Sequence, residues 1–220
     1  METFKYIYDV DFSPDSTRFV SADENNCTAT IWGIAACQIV RTLDHDNWVL
    51  SARYSPEGDQ IATASFQSVR VWDSNGWLLV DINVSVSSSC RLHWFGNGHL
   101  FVKSHDSEIK QIDASNGSIV SEWLVPHTEP ASRLAMPQHR KFIASSAADT
   151  ITFWDTSTHI QLGLIRQIKE INSIAFSPDD QLLAIAAKDT KIFIIDPSFI
   201  VGFVSELQSS LYTQRNRFLF

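Results

Sequence analysis

Short apolar runs alternate with clusters of turn residues along the whole chain. One stretch shows the pattern clearly: Ser55-Pro56-Glu57-Gly58 is followed by apolar runs at 61–64 and 69–72. Asn75-Gly76, a strong β-hairpin signal, then precedes another run at 77–83. Val, Ile, Phe and Thr are frequent within the runs, and this composition favours strands over helices. The pattern therefore predicts a unit of four short antiparallel strands.

The four-strand unit recurs in tandem. A hydrophobic residue with turn residues ends at positions 14, 56, 96, 137 and 178, and consecutive copies are 40 to 42 residues apart. A large apolar residue, usually followed by Asp, recurs at 32, 72, 112, 154 and 195 with the same spacing. Tandem four-stranded units of this length are typical of β-propeller blades. We therefore predict an all-β fold of about five blades.

The units resemble WD40 repeats. Val71-Trp72-Asp73 and Phe153-Trp154-Asp155 match the Trp-Asp ending of that repeat, and the Phe-Ser-Pro-Asp sequences at 12–15 and 176–179 match its first hairpin turn. The resemblance extends over roughly residues 5–200, and the overall texture is similar to the divergent WD40 arrays of fungal proteins. It implies a propeller that binds other proteins.

The resemblance also implies a structural role for the repeat residues. In the family a His bonds to a Ser or Thr, a turn Asp and the Trp. His45, Thr63 and Trp72 occupy three of these places in the second unit, whose shortened turn lacks the Asp. No unit contains all four groups. The residues implied to be structural are Trp32, Trp72, Asp73, Trp154, Asp155, His45, Thr63, Asp106 and Asp189.

The repeat positions predict the domain organisation. We expect a propeller array over residues 1–204 and a C-terminal tail over 205–220, to which we assign no function. Residues 199–204 are expected to form the outer strand of the fifth unit. Five units either close into a strained ring or form an open part of a larger propeller, completed by an oligomer or a longer parent chain; we favour the open arc. The expected blades span about 1–43, 44–84, 85–125, 126–166 and 167–204.

Composition narrows the functional classes. The 220 residues carry a formal net charge of −8, which disfavours nucleic acid and membrane surfaces as partners. No apolar run reaches the length of a membrane helix, and the N-terminus does not resemble a secretory signal. Three cysteines without metal-ligand spacing are typical of a reducing compartment. We expect an intracellular, cytoplasmic protein, with the nucleus as an alternative.

The sequence contains no recognisable catalytic constellation. The histidines are not in metal-ligand spacing, and Cys37 and Cys90 lie in predicted strands, where buried structural thiols are expected. The acidic residues that follow each third strand are expected to cap turns. We therefore expect no enzyme activity, no cofactor and no metal. A propeller enzyme or small-ligand binder that uses the central channel remains an alternative, and its available acids are Asp9, Asp11 and Glu170.

Binding at one rim of the propeller is the main functional hypothesis. Loops that join fourth to first strands share a rim with loops that join second to third strands, and two of these loops carry aromatic residues. Aromatic anchors with a polar surround are typical of interaction hot spots. We predict a non-catalytic scaffold that binds proteins or peptides, such as a sensor or assembly module of a larger signalling protein. A further alternative is an RNA- or ribosome-associated propeller in translation. The candidate partner-binding residues are Trp48, Phe66, Asp46, Asn47, Gln67, His105 and Glu129.

Overall fold

The structure is a computed structural model of the 220-residue chain. It describes residues 6–23, 27–87, 91–96, 98–104, 108–125, 133–137, 142–147, 149–166, 168 and 170–201. Within these residues the chain forms two compact units, Met1–Leu124 and Val125–Phe220.

Antiparallel strands form a separate sheet for each repeat, and we call these sheets blades 1 to 5 in chain order. The first unit holds three blades. Blade 1 has β1 (Ile7–Phe12), β2 (Arg18–Asp23), β3 (Thr28–Gly33) and β4 (Gln38–Asp44), and blade 2 has β5 (Val49–Tyr54), β6 (Gln60–Ser65), β7 (Ser68–Asp73) and β8 (Leu78–Asn83). Blade 3 has β9 (His93–Phe95), β10 (His99–Lys103), β11 (Glu108–Asp113) and β12 (Ile119–Leu124).

The second unit holds the remaining blades. Blade 4 has β13 (Arg133–Ala135), β14 (Phe142–Ala147), β15 (Thr150–Asp155) and β16 (Gln161–Ile165), and blade 5 has β17 (Ile171–Phe176), β18 (Leu183–Ala187) and β19 (Ile192–Ile195). Neighbours in each sheet are consecutive in sequence, as in propeller blades. The predicted all-β fold class, with its repeated blades, is confirmed.

Acidic residues end the third strands by capping the turns that follow. The Asp73 carboxylate accepts the N–H groups of Asn75 and Trp77 at 2.9 and 2.8 Å. Asp155 accepts those of Ser157 and Thr158 in the same way, both at 2.8 Å. A side-chain oxygen that binds backbone N–H groups two to four residues ahead stabilises the reversal of the chain. Because these two carboxylates bind the backbone of the turn, they fix the point at which the fourth strand of each hairpin begins.

The hydrophobic cores lie between blades. Blades 1 and 2 share a core that includes Val20, Ile31 and Tyr54, and another core joins blades 2 and 3. Blades 4 and 5 share a third, which includes Phe153 and Ile185. Second strands in the middle of a unit are buried on both faces for this reason, as the burial pattern of β6 shows. Each blade is thus stabilised mainly by its neighbour.

Glycine at the turn between third and fourth strands lets one blade approach the next. Gly117 has a φ of +76°, and a Cβ added there would lie 2.8 Å from Val80 Cγ1 and 2.9 Å from Ile82 Cγ1 on β8 of blade 2. Only glycine therefore combines the left-handed backbone with this close contact.

Replacing Gly117 by Ala should lower the free energy of unfolding by about 1–3 kcal/mol, because the new methyl group strains the backbone and displaces two branched side chains. Gly96→Ala is the matched control, since Gly96 also has a positive φ (+57°) but no heavy atom within 4 Å of its added Cβ. Urea unfolding of both variants measures the difference. Equal losses at the two positions would show that the contact with blade 2 contributes nothing.

The predicted outer strand of blade 5 is wrong at its start, because Ser198–Val201 forms a short helix, α1. Asp196 Oδ1 accepts the Ser198 N–H at 2.8 Å, and Pro197 supplies a φ suited to a first helical turn. Ile200 packs against the core of blades 4 and 5 beside Gly163 of β16. The described part of blade 5 therefore has three strands. Residues 202–220, including the rest of the predicted strand and the tail, lie outside the described residues.

Cys37 also differs from its prediction. It lies in the turn between β3 and β4 with a φ of +46° and is exposed, so it is not a buried strand thiol. Its amide N–H donates to the Ile34 carbonyl at 3.2 Å, which closes the turn. Cys90 lies outside the described residues.

Candidate interaction surface

Two loops at one edge of blade 2 bring aromatic residues together. Trp48 ends the connection from β4 to β5, and Phe66 lies in the turn between β6 and β7. Their ring centroids are 6.0 Å apart at an interplanar angle of 57°. Trp48 is 43% exposed, whereas Phe66 is partly buried against the core between blades 2 and 3. Phe66 thus supports an aromatic ring that faces solvent.

Backbone hydrogen bonds fix the turn that carries Phe66. The Phe66 carbonyl accepts the Val86 N–H at 2.9 Å, and the Gln67 carbonyl accepts the Val84 N–H at 3.1 Å. Gln67 itself is exposed. The segment that follows β8 therefore holds this turn in place, and Phe66 and Gln67 form a rigid part of the surface.

Acidic groups surround a single guanidinium next to this pair. Arg70 Nη2 lies 2.6 Å from an Asp46 carboxylate oxygen and 3.0 Å from one of Asp81. Arg70 Nη1 donates to the Asp44 carbonyl at 2.8 Å, which ties β7 to the end of β4. Asn47 Oδ1 accepts the Trp48 N–H at 2.8 Å and so orders the end of the loop. We call Asp46, Asn47, Trp48, Phe66 and Gln67 the aromatic patch; its polar margin carries more negative than positive charge.

A hydrogen-bonded trio lies beneath the patch. The hydroxyl oxygen of Thr63 is 2.7 Å from His45 Nε2 and accepts the Trp72 indole N–H at 2.7 Å. His45 is 8% exposed, and burial, followed by the positive charge of Arg70, lowers its pKa from 6.5 to about 4. His45 Nδ1 has no hydrogen-bond partner among the described residues. The imidazole is therefore neutral near pH 7 and acts as a structural link below the surface.

The indole contact recurs in other blades. Trp32 donates to Ser21 Oγ at 2.9 Å in blade 1, and Trp154 donates to Ser145 Oγ at 2.8 Å in blade 4. In each case a third-strand Trp reaches a hydroxyl on the second strand. The Trp residues at the repeat period are thus held within the blades.

A buried carboxylate joins the first strands of blades 1 and 2 to the segment that precedes the first strand of blade 3. Asp9 of β1 accepts from Arg53 Nη2 at 2.8 Å and from Arg91 Nη1 at 3.2 Å, and its other oxygen accepts the Ser51 hydroxyl at 2.7 Å. Ser51 Oγ also accepts the Leu92 N–H at 3.1 Å. Sequence reasoning named Asp9 only as an available acid and missed both arginines. The sequence signal for this ion pair was a charged residue, Arg53, within an otherwise apolar strand.

The other acids proposed for a channel enzyme have different surroundings. Burial raises the pKa of Asp11, against the lowering effect of the Tyr54 N–H bond and of Arg53. Glu170 pairs with Lys188 at 2.8 Å, and both side chains are largely exposed. Both carboxylate oxygens of Asp9 are occupied by cationic and hydroxyl donors.

The remaining predicted residues fall into two groups. Asp189 accepts the Lys191 N–H at 3.3 Å and pairs with its ammonium at 3.1 Å, so it acts within its own turn. His105, Asp106 and Glu129 lie outside the described residues. Among the residues that the structure describes, no cluster of His, Cys, Asp and Glu could hold a metal ion. No helix in the described part of the chain is long and apolar enough to cross a membrane.

Comparisons with known proteins agree with the geometry. The family model described as "WD domain, G-beta repeat" matches residues 2–33, 37–73 and 165–196. WD repeat-containing protein 90 of Homo sapiens is 32% identical over 87 residues, 38% of this chain. An uncharacterized WD repeat-containing protein of Schizosaccharomyces pombe and WD repeat-containing protein 1 of Xenopus tropicalis are each 26% identical over 155 residues, 66% and 67% of this chain. The matched regions span 5%, 26% and 25% of these relatives' own lengths.

Tandem antiparallel sheets with inter-blade cores and third-strand Trp residues define the class of β-propeller repeat proteins. Within that class, the chain is similar to the WD40-repeat family, whose model matches three stretches of it, and to WD repeat-containing proteins. Proteins of this fold generally serve as interaction scaffolds.

Proposed function

We propose that this chain is a non-catalytic binding module that recognises a protein or peptide through the aromatic patch of blade 2. The observation that carries the proposal is the solvent-facing ring of Trp48, seated on Phe66, which the core between blades 2 and 3 holds. A rigid aromatic ring loses little conformational freedom on binding, which makes it an effective anchor. The polar margin supplies hydrogen-bonding groups around that anchor.

The charge around the patch favours a basic peptide. Asp46 and Asp81 share one guanidinium, and the Asp46 carboxylate is 83% exposed, so it remains accessible to a further cation. Asp44 is exposed at the end of β4, just before the same loop. A ligand with Lys or Arg beside an apolar side chain would place its charge on these carboxylates and its apolar group on Trp48. The chain's formal net charge of −8 acts in the same direction over longer distances.

Selection from a random peptide library, followed by fluorescence anisotropy titration of the enriched peptides, tests the proposal. Trp48→Ala should weaken binding at least about tenfold, since an anchor at the centre of an interface contributes more than about 1.4 kcal/mol. Trp77→Ala is the matched control: Trp77 is 61% exposed but lies before β8 beneath the Arg41 guanidinium, away from the patch. The affinity of the Trp77→Ala variant for the peptide should stay within about twofold of that of the intact chain.

Two results would overturn this assignment. One is a library that yields no peptide binder above background. The other is a set of binders whose affinity is unchanged by Trp48→Ala. Circular dichroism of both variants checks that the fold is retained, which the partial exposure of both tryptophans leads us to expect.

A further inference from the structure

Blades 1 and 5 each expose an apolar face whose counterparts in other blades are buried. The first-blade face consists of Val10 and Phe12 of β1 with Phe19 and Trp32 behind them. The fifth-blade face consists of Ala184, Ala186, Ile192 and Ile194 on β18 and β19. None of these eight side chains is charged, and the Trp32 N–H already donates to Ser21. Burying them would therefore leave no polar group without a partner at these positions.

Strand pairing identifies the counterparts of the first-blade face. Phe12 pairs with Phe19 across the first hairpin of blade 1, as Tyr54 pairs with Ile61 in blade 2, and Val10 corresponds to Ala52. Ala52 and Tyr54 are 0% and 6% exposed because blade 1 covers them. Val10 and Phe12 are 46% and 61% exposed. The same strand positions are therefore covered in blade 2 and exposed in blade 1.

The residues of the fifth-blade face are also exposed where their counterparts in another blade are buried. These counterparts lie on the side of a blade that faces the next blade in the chain. Ala184 pairs with Ile194 and Ala186 pairs with Ile192. Their counterparts in blade 1 are the pairs Val20–Ile31 and Ala22–Ala29, and all four of these residues are 0% exposed beneath blade 2. In blade 5, Ile192 and Ile194 are 73% and 58% exposed. This face has the composition of one that a following blade covers.

The two faces are the complementary halves of one kind of interface. In the core between blades 1 and 2, a face of the Val20–Ile31 kind packs onto a face of the Ala52–Tyr54 kind. We propose that the fifth-blade face of one copy of this chain docks onto the first-blade face of a second copy. Every molecule carries both halves, so association requires no other partner. The contact is heterologous, and each dimer formed by one such contact retains one face of each kind.

Sedimentation velocity over a range of concentrations tests this proposal, which is independent of the aromatic patch. The intact chain should show a mass that rises above the 24.8 kDa of one molecule as concentration increases. Val10→Lys and Ile194→Lys should each remain monomeric, because each removes one half of the interface. An equal mixture of the two variants should form dimers and nothing larger, since only one productive pairing remains. Leu79→Lys on β8, also at an exposed apolar position, should associate like the intact chain.

Three outcomes would overturn the proposal. The intact chain could stay monomeric at every concentration. Either Lys variant could associate as the intact chain does. The mixture could remain monomeric although both variants keep the circular dichroism of the intact chain. If Val10→Lys or Ile194→Lys unfolds, Phe12→Lys or Ile192→Lys replaces it, because those side chains are still more exposed.

Discussion

Replacing Asp9 by Asn should lower the free energy of unfolding of the unit that contains blades 1–3 by about 2–4 kcal/mol. The Asp9 side chain is 3% exposed and pairs with Arg53, which is 18% exposed. Asn keeps the shape but removes the charge, so a largely buried guanidinium loses its main partner. The amide nitrogen of Asn would also take the place of an oxygen that now accepts a hydrogen bond. Urea unfolding followed by Trp fluorescence measures the loss, and hydrogen exchange assigns it to the first unit.

Asp46→Asn provides the matched control for this effect. Asp46 also pairs with an arginine at short distance, but its carboxylate is 83% exposed. Solvent screens such a pair, so the same substitution should cost less than about 1 kcal/mol. A loss at Asp9 no greater than that at Asp46 would show that the contact among three blades does not stabilise the unit.

The repeated strands could be predicted because their signals are local. Trp32, Trp72 and Trp154 each lie near the end of a third strand, and the acidic or glycine residue that follows starts the turn. Alternation of apolar residues and hairpin turns needs only neighbouring positions to be recognised. The start of α1 also had a local signal, because Asp196-Pro197 is a typical helix N-terminus. The repeat period instead predicted a fourth strand at this position, and that prediction was wrong at its start.

The Asp9 contacts could not be predicted from local patterns. Arg53 and Arg91 are 44 and 82 residues away in sequence, and they meet Asp9 only once three blades have packed together. The sequence shows isolated charges in strands and gives no means of pairing them. The network is therefore a consequence of blade packing, and it appears only in the folded unit.

The candidate site was predictable in outline. Repeat topology placed Trp48 and Phe66 in loops on one rim, but whether Trp48 packed within the fold or faced solvent was open. The structure shows both features, since the ring contacts Phe66 and is still 43% exposed. Arg70 was missed because its partners come from a loop and from β8. The two proposals use different surfaces, so Val10→Lys should leave peptide binding unchanged.

His45 should make the stability of the first unit sensitive to acid. Its pKa in the folded state is about 4, below the ordinary value of 6.5, because burial and the nearby Arg70 disfavour the imidazolium; the Asp81 and Asp46 carboxylates oppose this only in part. The unfolded chain therefore binds the proton first as the pH falls. The stabilisation is complete above about pH 6.5 and is lost as the pH decreases toward about 4, by roughly 3 kcal/mol in all.

Urea unfolding of the intact chain and of His45→Gln between pH 7.5 and 4 isolates this contribution. Gln can place an amide nitrogen near the Thr63 hydroxyl but does not titrate, so other ionisable groups, including Asp11, contribute alike to both proteins. The intact chain should be the more stable at pH 7.5, and its advantage should shrink by about 3 kcal/mol by pH 4. A constant difference across this range would contradict a buried neutral imidazole. If the difference shrinks as expected, the hydrogen-bonded trio under the aromatic patch opens in acid, and peptide binding at the patch should weaken over the same pH interval.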